Sequence, residues 1–247
     1  MSIPARTGII ASARTTVSSD VPSWNPDTDI SSIYIHLKAE DLAGTLANSA
    51  QVTAWTDTIN SLTYTTLSGS PTFRTNVINS LPSVYYIGAV SSRMRNINTI
   101  TFNDGGSIIM VTQQVSNATQ QFFMRTNSGN IFALKRTTDD IDVGVSSTDV
   151  NMAPSDVTPS VAVGNPWIYL LNWSTSGASI SVYINSITPD VSDSVAGGTA
   201  VEPSYFWLPC NTAYADMHLS EFLYYEKYLS ASEINSLMDY YKNKYSI

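Results

Sequence analysis

Met217-His-Leu-Ser-Glu-Phe-Leu-Tyr-Tyr225 runs almost directly into Ser230-Ala-Ser-Glu-Ile-Asn-Ser-Leu-Met-Asp-Tyr-Tyr-Lys-Asn-Lys-Tyr245. The first stretch is dense in aromatic and aliphatic residues and reads as a strand. The second opens on a capping box: the Ser230 hydroxyl accepts from a free backbone N–H of the first turn, and Glu233 reaches back to the cap. Ile234, Leu237, Met238, Tyr241 and Tyr245 then recur at helical spacing. Lys242 and Lys244 sit where the helix dipole favours cations. The spacing predicts an amphipathic helix over 231–245. Its apolar stripe needs a surface to cover, and the rest of the chain must supply that surface.

Upstream, from Ile30 onward, short apolar runs alternate with polar turn residues. Strands are predicted at Ile33–Leu37, Leu62–Leu67, Ser83–Ile87, Arg93–Ile97, Ser107–Val115, Gln121–Arg125, Asn130–Lys135 and Asp140–Val145. Asn127-Ser128-Gly129 is a hairpin signal, and Gly105-Gly106 reads as a turn. Residues 146–165 and 188–202, rich in Ser, Asp, Pro or Gly, read as long loops. Between them lie Trp167–Trp173 and Ser179-Ile-Ser-Val-Tyr-Ile-Asn185, where Ile180, Val182 and Ile184 alternate with Ser181 and Tyr183. Tyr205–Leu208 precedes the closing strand. About a dozen short strands with no helix between them exclude a parallel βαβ sheet, whose crossovers need helices. A two-sheet antiparallel sandwich fits, and the lack of an internal repeat disfavours a propeller.

Several stretches, taken in order, resemble the concanavalin A-like, laminin G-like lectin jelly rolls. Glu221, Tyr225, Lys227, Leu229, Ser230 and Glu233 fall on the family's closing strand and helix start. Val52-Thr-Ala-Trp-Thr-Asp57 is similar to its Val-x-x-Trp-x-Asp. Asn79-Ser-Leu-Pro82 is similar to its Asn-Gly-x-Pro, and Ile180–Asn185 to the strand that usually ends in Asn-Gly. The turns depart: Thr58-Ile59-Asn60 stands where a Ser-Gly-Asn turn is usual, and Ser186 where glycine is usual. The resemblance spans residues 30–247 and implies an all-β jelly-roll sandwich with one short C-terminal helix. It also implies structural roles: Trp55 in the core, Asp57 as a turn former and Glu221 as a strand residue with a local partner. Residues 1–29 differ in composition and read as an extended N-terminal arm.

Composition narrows the function. Hydrophobic residues make up 43% and charged residues only 13%, about half the usual charged share; Ser, Thr and Asn take their place. The net charge is −8, and no Lys/Arg run is present, so neither nucleic acid nor an anionic membrane surface is an expected partner. The N-terminus lacks the apolar stretch of a signal peptide, and no run is long enough to span a bilayer. Synthesis in a host cytoplasm without export is therefore expected. The single cysteine, Cys210, sits in an apolar run and excludes an internal disulfide.

Catalytic patterns are missing. Glycosidases on the resembled fold carry Glu-x-Asp-x-x-Glu, which sets an acid and a nucleophile on one sheet face. Here Glu occurs only at 40, 202, 221, 226 and 233. On a regular strand Glu221 and Glu226 face opposite sides. Two histidines, His36 and His218, with one cysteine offer little to zinc. No catalytic, cofactor-binding or metal residue is assigned. Asp139, Asp140 and Asp142, with Asp190 and Asp193, read as solvated turn acids or, alternatively, as a Ca²⁺ site at a loop edge. Tyr85, Tyr86, Tyr169, Tyr183, Tyr205, Trp207, Tyr224 and Tyr225 lie in strands, and adjacent members of the set point to opposite faces. They read as packing residues, with an outward ring available for a sugar.

The resulting expectation is a non-catalytic virion structural protein of a bacteriophage, a capsid decoration or fibre component. Its N-terminal arm would dock on other virion proteins, and its lectin-like domain would face outward towards host glycans, within a homo-oligomer or larger assembly. The alternative is a free carbohydrate-binding module; a polysaccharide hydrolase is the third reading.

Overall fold

In the computed structural model, residues 24–102, 105–116, 121–126, 131–135, 141–145, 148–152, 162–174, 179–193, 205–209 and 215–247 are described. At 121–122, 131–135, 141–145, 148–152 and 193 the description is of backbone alone. A short helix α1 (Pro26–Asp29) leads to β1 (Ile33–Lys38), then to a 3-10 turn at Ala39–Leu42. There follow β2 (Ala54–Thr56), β3 (Thr63–Ser68), β4 (Thr72–Ile78), β5 (Leu81–Tyr86) and β6 (Arg93–Arg95). Next come β7 (Gly105–Gln114), β8 (Gln121–Thr126), β9 (Ile131–Lys135), β10 (Ile141–Val145) and β11 (Thr148–Met152). The last strands are β12 (Pro166–Ser174), β13 (Ser179–Ile184), β14 (Val191–Asp193), β15 (Phe206–Leu208) and β16 (Met217–Tyr225), and helix α2 (Ala231–Tyr245) ends the fold.

The strands form two eight-stranded antiparallel sheets. One runs β14-β13-β12-β7-β16-β5-β4, with β1 also on β16; the other runs β11-β10-β9-β8-β15-β6-β3-β2. Alternation puts Ile108, Met110, Leu171, Trp173, Phe222 and Tyr224 of the first sheet against Tyr64, Met94, Phe206 and Leu208 of the second. A second apolar layer lies on the outer face of the first sheet. There Ile109, Val111, Ile168, Leu170, Leu223 and Tyr225 meet Ile234, Leu237, Met238, Tyr241 and Tyr245 of α2. The molecule is thus a jelly-roll-like sandwich with one C-terminal helix laid on one sheet.

The helix has the predicted bounds, and both halves of its capping box form: Glu233 N–H donates to Ser230 Oγ, and Ser230 N–H donates to Glu233 Oε2. Its cover explains why Tyr224 and Tyr225 are both buried although they point to opposite faces. Trp55 is in the core, with its indole N–H donating to Lys38 O. Asp57 accepts from Ile59 N, Asn60 N and Leu62 N and so closes its turn. Where the resembled family has Asn-Gly, Asn79 and Ser80 both adopt positive φ, +46° and +63°, between β4 and β5. That is the geometry of a type I′ hairpin, which Asn tolerates best after Gly.

Three readings are corrected. Gly105-Gly106 is not a turn; it begins β7, because the Trp173 backbone and ring lie where a side chain would stand. The loop at 146–165 contains β11, and the loop at 188–202 contains β14, a three-residue edge strand too short to show a period. Two strands were not anticipated: β2, with one buried residue, and β4, whose alternation is broken by a bulge at Asn76, φ +55°. The hairpin residues 127–129 lie outside the described residues, although β8 and β9 pair antiparallel as expected.

Candidate functional site

Strand β16 changes partner part-way. Met217–Leu219 pair with β5, and Glu221–Tyr225 pair with β1. At the handover the register against β7 slips, with Leu219 opposite Thr112 and Glu221 opposite Val111. Ser220 is the extra residue, and its hydroxyl donates to Pro82 O on β5 at 2.9 Å. The bulge brings His218 and Glu221 onto the same outer face. They then have different surroundings.

Glu221 lies under the helix and is fully buried. It accepts from His36 Nε2 at 2.7 Å, Tyr241 OH at 3.1 Å, Tyr245 OH at 2.7 Å and Lys244 Nζ at 2.6 Å. The partner is therefore not local, as expected from sequence, but a cluster drawn from β1 and α2. His36 Nδ1 also meets Asp27 of α1 at 2.5 Å, and Lys244 pairs with Glu40. Burial alone would raise the Glu221 pKa; the hydrogen bond and charge of His36, then Lys244, outweigh it and hold it down to about 2. Burial lowers the His36 pKa, but Asp27 and Glu221 together drive it above the ordinary value. Every oxygen of Glu221 is satisfied, so this cluster ties α1, β1, β16 and α2 together and presents no open position.

His218 lies on the part of the sheet that α2 does not cover. Its ring stacks on Tyr85 of β5, with centroids 4.6 Å apart and planes at 25°. Its Nδ1 lies 3.0 Å from Ser83 Oγ. Tyr85 OH donates to Asp216 at 2.9 Å, and the Arg74 guanidinium stands 5.5 Å from the Tyr85 ring centre. Burial, then Arg74, lowers the His218 pKa to about 4, so the imidazole is neutral at pH 7. Burial and Asp216 push the Tyr85 hydroxyl up to about 12. Around this pair Asn48, Arg74, Thr75, Val77 and Val115 complete a groove of about 410 Å³, room enough for a sugar ring.

Other features of the surface offer less. A cavity of about 530 Å³ lies between Trp24 and the exposed side of α2. On the second sheet the Arg93 and Arg95 guanidinium carbons sit 4.9 and 5.1 Å from the Trp207 ring centre and cover it. Among the described residues, no group of His, Cys, Asp and Glu is placed to hold a metal ion. Of the acids considered for Ca²⁺, Asp190 instead accepts from Ile184 N at 2.6 Å, while Asp139 and Asp140 lie outside the described residues, as does Cys210. Of the strand aromatics, Tyr85 and Tyr205 are half-exposed, whereas Tyr86, Tyr169, Tyr183, Trp207, Tyr224 and Tyr225 are buried. Arg74, Asn48 and Thr75 were not anticipated, because no local motif links residues that meet only through strand pairing.

No protein-family model matches the chain, and no curated protein sequence matches it. Solved structures do match. The receptor-binding domain of botulinum neurotoxin C/D mosaic serotype superposes with a TM-score of 0.64 at 11% identity, over 84% of this chain and 51% of that one. The binding domain of botulinum neurotoxin DC in complex with rat synaptotagmin II gives 0.60 at 13%, with the same coverage. Trypanosoma rangeli sialidase in complex with sialic acid gives 0.59 at 12%, over 85% of this chain and 33% of that one. The chain spans about a third to a half of these proteins. At such identities the likeness is one of fold, and it agrees with the two-sheet antiparallel sandwich.

Proposed function

We propose that the chain is a non-catalytic glycan-binding module, of the concanavalin A-like and laminin G-like type, whose site is the groove around Tyr85 and His218. The observation that carries this reading is the half-exposed Tyr85–His218 stack, fixed by Ser83 and Asp216 and ringed by Asn48, Thr75 and Arg74. Sugar rings present apolar faces to aromatic groups and hydroxyls to amide, hydroxyl and guanidinium groups. The groove lining contains no carboxylate among the described residues, so it lacks the acid pair that glycoside hydrolysis uses. That supports binding without turnover. A glycan array followed by calorimetry tests the reading. Tyr85→Ala should weaken the best ligand about tenfold, the loss of roughly one stacking contact. Binding unchanged by Tyr85→Ala, or no binding to any glycan, would refute it.

A virion setting is the finer reading, supported by the low-charge Ser/Thr/Asn-rich composition and by the polar segment ahead of the sandwich. Asp27 holds His36, and Tyr225 OH donates to Pro26 O at 3.1 Å, so residues 24–29 pack on the domain. A deletion meant to test attachment should therefore stop at residue 23. That variant should fold yet be missing from purified virions by mass spectrometry; undiminished incorporation would count against the setting.

A further inference from the structure

We infer that the groove selects saccharides bearing a carboxylate, and that Arg74 is the residue that reads the anion. This rests on the glycan-binding reading above and adds the class of ligand.

The charge balance of the chain makes Arg74 unusual. The protein carries 20 acidic and 12 basic residues. Several of the described lysines are matched to acids: Lys38 to Asp27, Lys227 to Glu233, and Lys244 to Glu221 and Glu40. Arg74 has no carboxylate partner among the described residues. It is held by neutral groups instead. Its Nε donates to Thr72 Oγ1 at 3.2 Å, its Nη1 donates to Ser49 Oγ at 2.7 Å, and its guanidinium carbon lies 5.5 Å from the Tyr85 ring centre. Two hydroxyls and a ring fix the orientation of the guanidinium without neutralising its charge. The planar fork keeps N–H groups unused by these contacts, and bidentate pairing with a carboxylate is the geometry such a fork fits best.

The rest of the groove adds donors, and the acid beside it, Asp216, is engaged by the Tyr85 hydroxyl at 2.9 Å. Asn48 Oδ1 is occupied by Thr75 N–H at 3.1 Å, which leaves the Asn48 amide NH₂ for a ligand. His218 Nδ1 is engaged with Ser83, and Nε2 has no partner among the described residues. A neutral sugar in the groove would leave the Arg74 charge without a counter-ion. A sugar carboxylate supplies that counter-ion while the ring packs against Tyr85 and His218. The carboxylate can belong to a uronic acid or to a sialic-type sugar; both present the same planar anion.

Calorimetry on the full chain with paired probes distinguishes the cases. The pairs are trigalacturonate against its methyl ester, and sialyllactose against its methyl ester; members of each pair differ only in the ionised carboxylate. At least one acidic member should bind tenfold or more tighter than its neutral counterpart, and the preferred pair identifies the source. Raising NaCl from 50 to 500 mM should erode that preference. Arg74→Gln should abolish it by lowering the affinity of the acidic member to that of its neutral counterpart, with the melting temperature near wild type. If Arg74→Gln does not fold, Arg74→Lys provides the same readout, with the preference reduced because lysine cannot form the fork. Equal binding within both pairs, or a preference that survives Arg74 substitution, overturns the inference and leaves the glycan reading standing if Tyr85→Ala still weakens binding. No binding to any of the four probes overturns the inference.

Discussion

His218 and Glu221 stand on the same face of β16 although three positions separate them, an odd offset that a regular strand would place on opposite faces. Ser220 makes the difference. The bulge delivers Glu221 to the helix and His218 to the groove from one strand, just where β16 passes from β5 to β1. The structural lock and the candidate site are thus set by a single inserted residue.

Deleting Ser220 shortens the offset between His218 and Glu221 to two positions, so regular alternation still keeps both on the outer face. The loss should therefore be limited to the bond to Pro82 O and the local bend, about 1–3 kcal/mol by urea denaturation. Ser220→Ala, which removes only that bond, should lose about 1 kcal/mol. A fall well beyond that range on deletion, with the Glu221 cluster lost, would show that the bulge does more than correct the facing.

Glu221 makes acid stability a second readout. Its folded pKa of about 2 lies below its ordinary value of 4.5. The unfolded chain therefore binds the extra proton first as pH falls, and stability drops between about pH 4.5 and 2. The shift corresponds to about 3 kcal/mol at pH 7. Glu221→Gln should remove this group's share of the acid limb. It should also destabilise the protein at pH 7 by roughly 3–5 kcal/mol, because His36 and Lys244 each lose a buried counter-charge. Stability measured against pH for both proteins checks this; parallel curves would assign the acid limb to other groups.

Regular parts of this fold were legible in sequence, and the reasons are local. Ser179–Ile184 alternates because one face is buried against the second sheet, and residues 231–245 carry their own cap and stripe. The site was not legible, because it depends on departures from regularity. Bulges at Asn76 and Ser220 erase the period that sequence reading relies on. Tyr85 was recognisable as a strand aromatic with one face outward, but Arg74 lay in a strand with no clear signal. Asn48 joins them through a hydrogen bond to Thr75 N, a contact across 27 positions. Glu221 carried a pattern of its own, yet its partners His36 and Lys244 were visible only as isolated charges.

Gly106 separates the turn reading from the observed strand by experiment. A Cβ there would lie 2.4 Å from the Trp173 ring and 3.0 Å from Tyr224. Trp173 is itself fully buried and stacked on Tyr224 at 6.2 Å, so it has little room to yield. Gly106→Ala should cost about 1–3 kcal/mol or more through overpacking. Gly44→Ala, with nothing within 4 Å, should stay within about 0.5 kcal/mol of wild type. Matching melting temperatures for the two variants would argue that the ring does not pack over the β7 backbone.

Leu237 tests whether α2 is part of the fold or only rests on it. The residue is 1% exposed and sits between Ile234 and Tyr241 on the buried stripe. Leu237→Asp replaces an apolar contact with a charge that has no counter-ion in that layer, where Val111, Ile168 and Leu223 face it from the sheet. The helix should detach, because its isolated fifteen residues are too few for stable helicity in water. Detachment would strip Glu221 of Tyr241, Tyr245 and Lys244 together, so the loss should exceed the roughly 2–5 kcal/mol of a simple Leu→Ala cavity. Hydrogen exchange over 231–245 should rise to the unprotected rate while the β7 and β12 amides, in the centre of the sheet, keep more protection. A variant with wild-type stability and a protected helix would overturn the two-layer packing on which the placement of the groove depends.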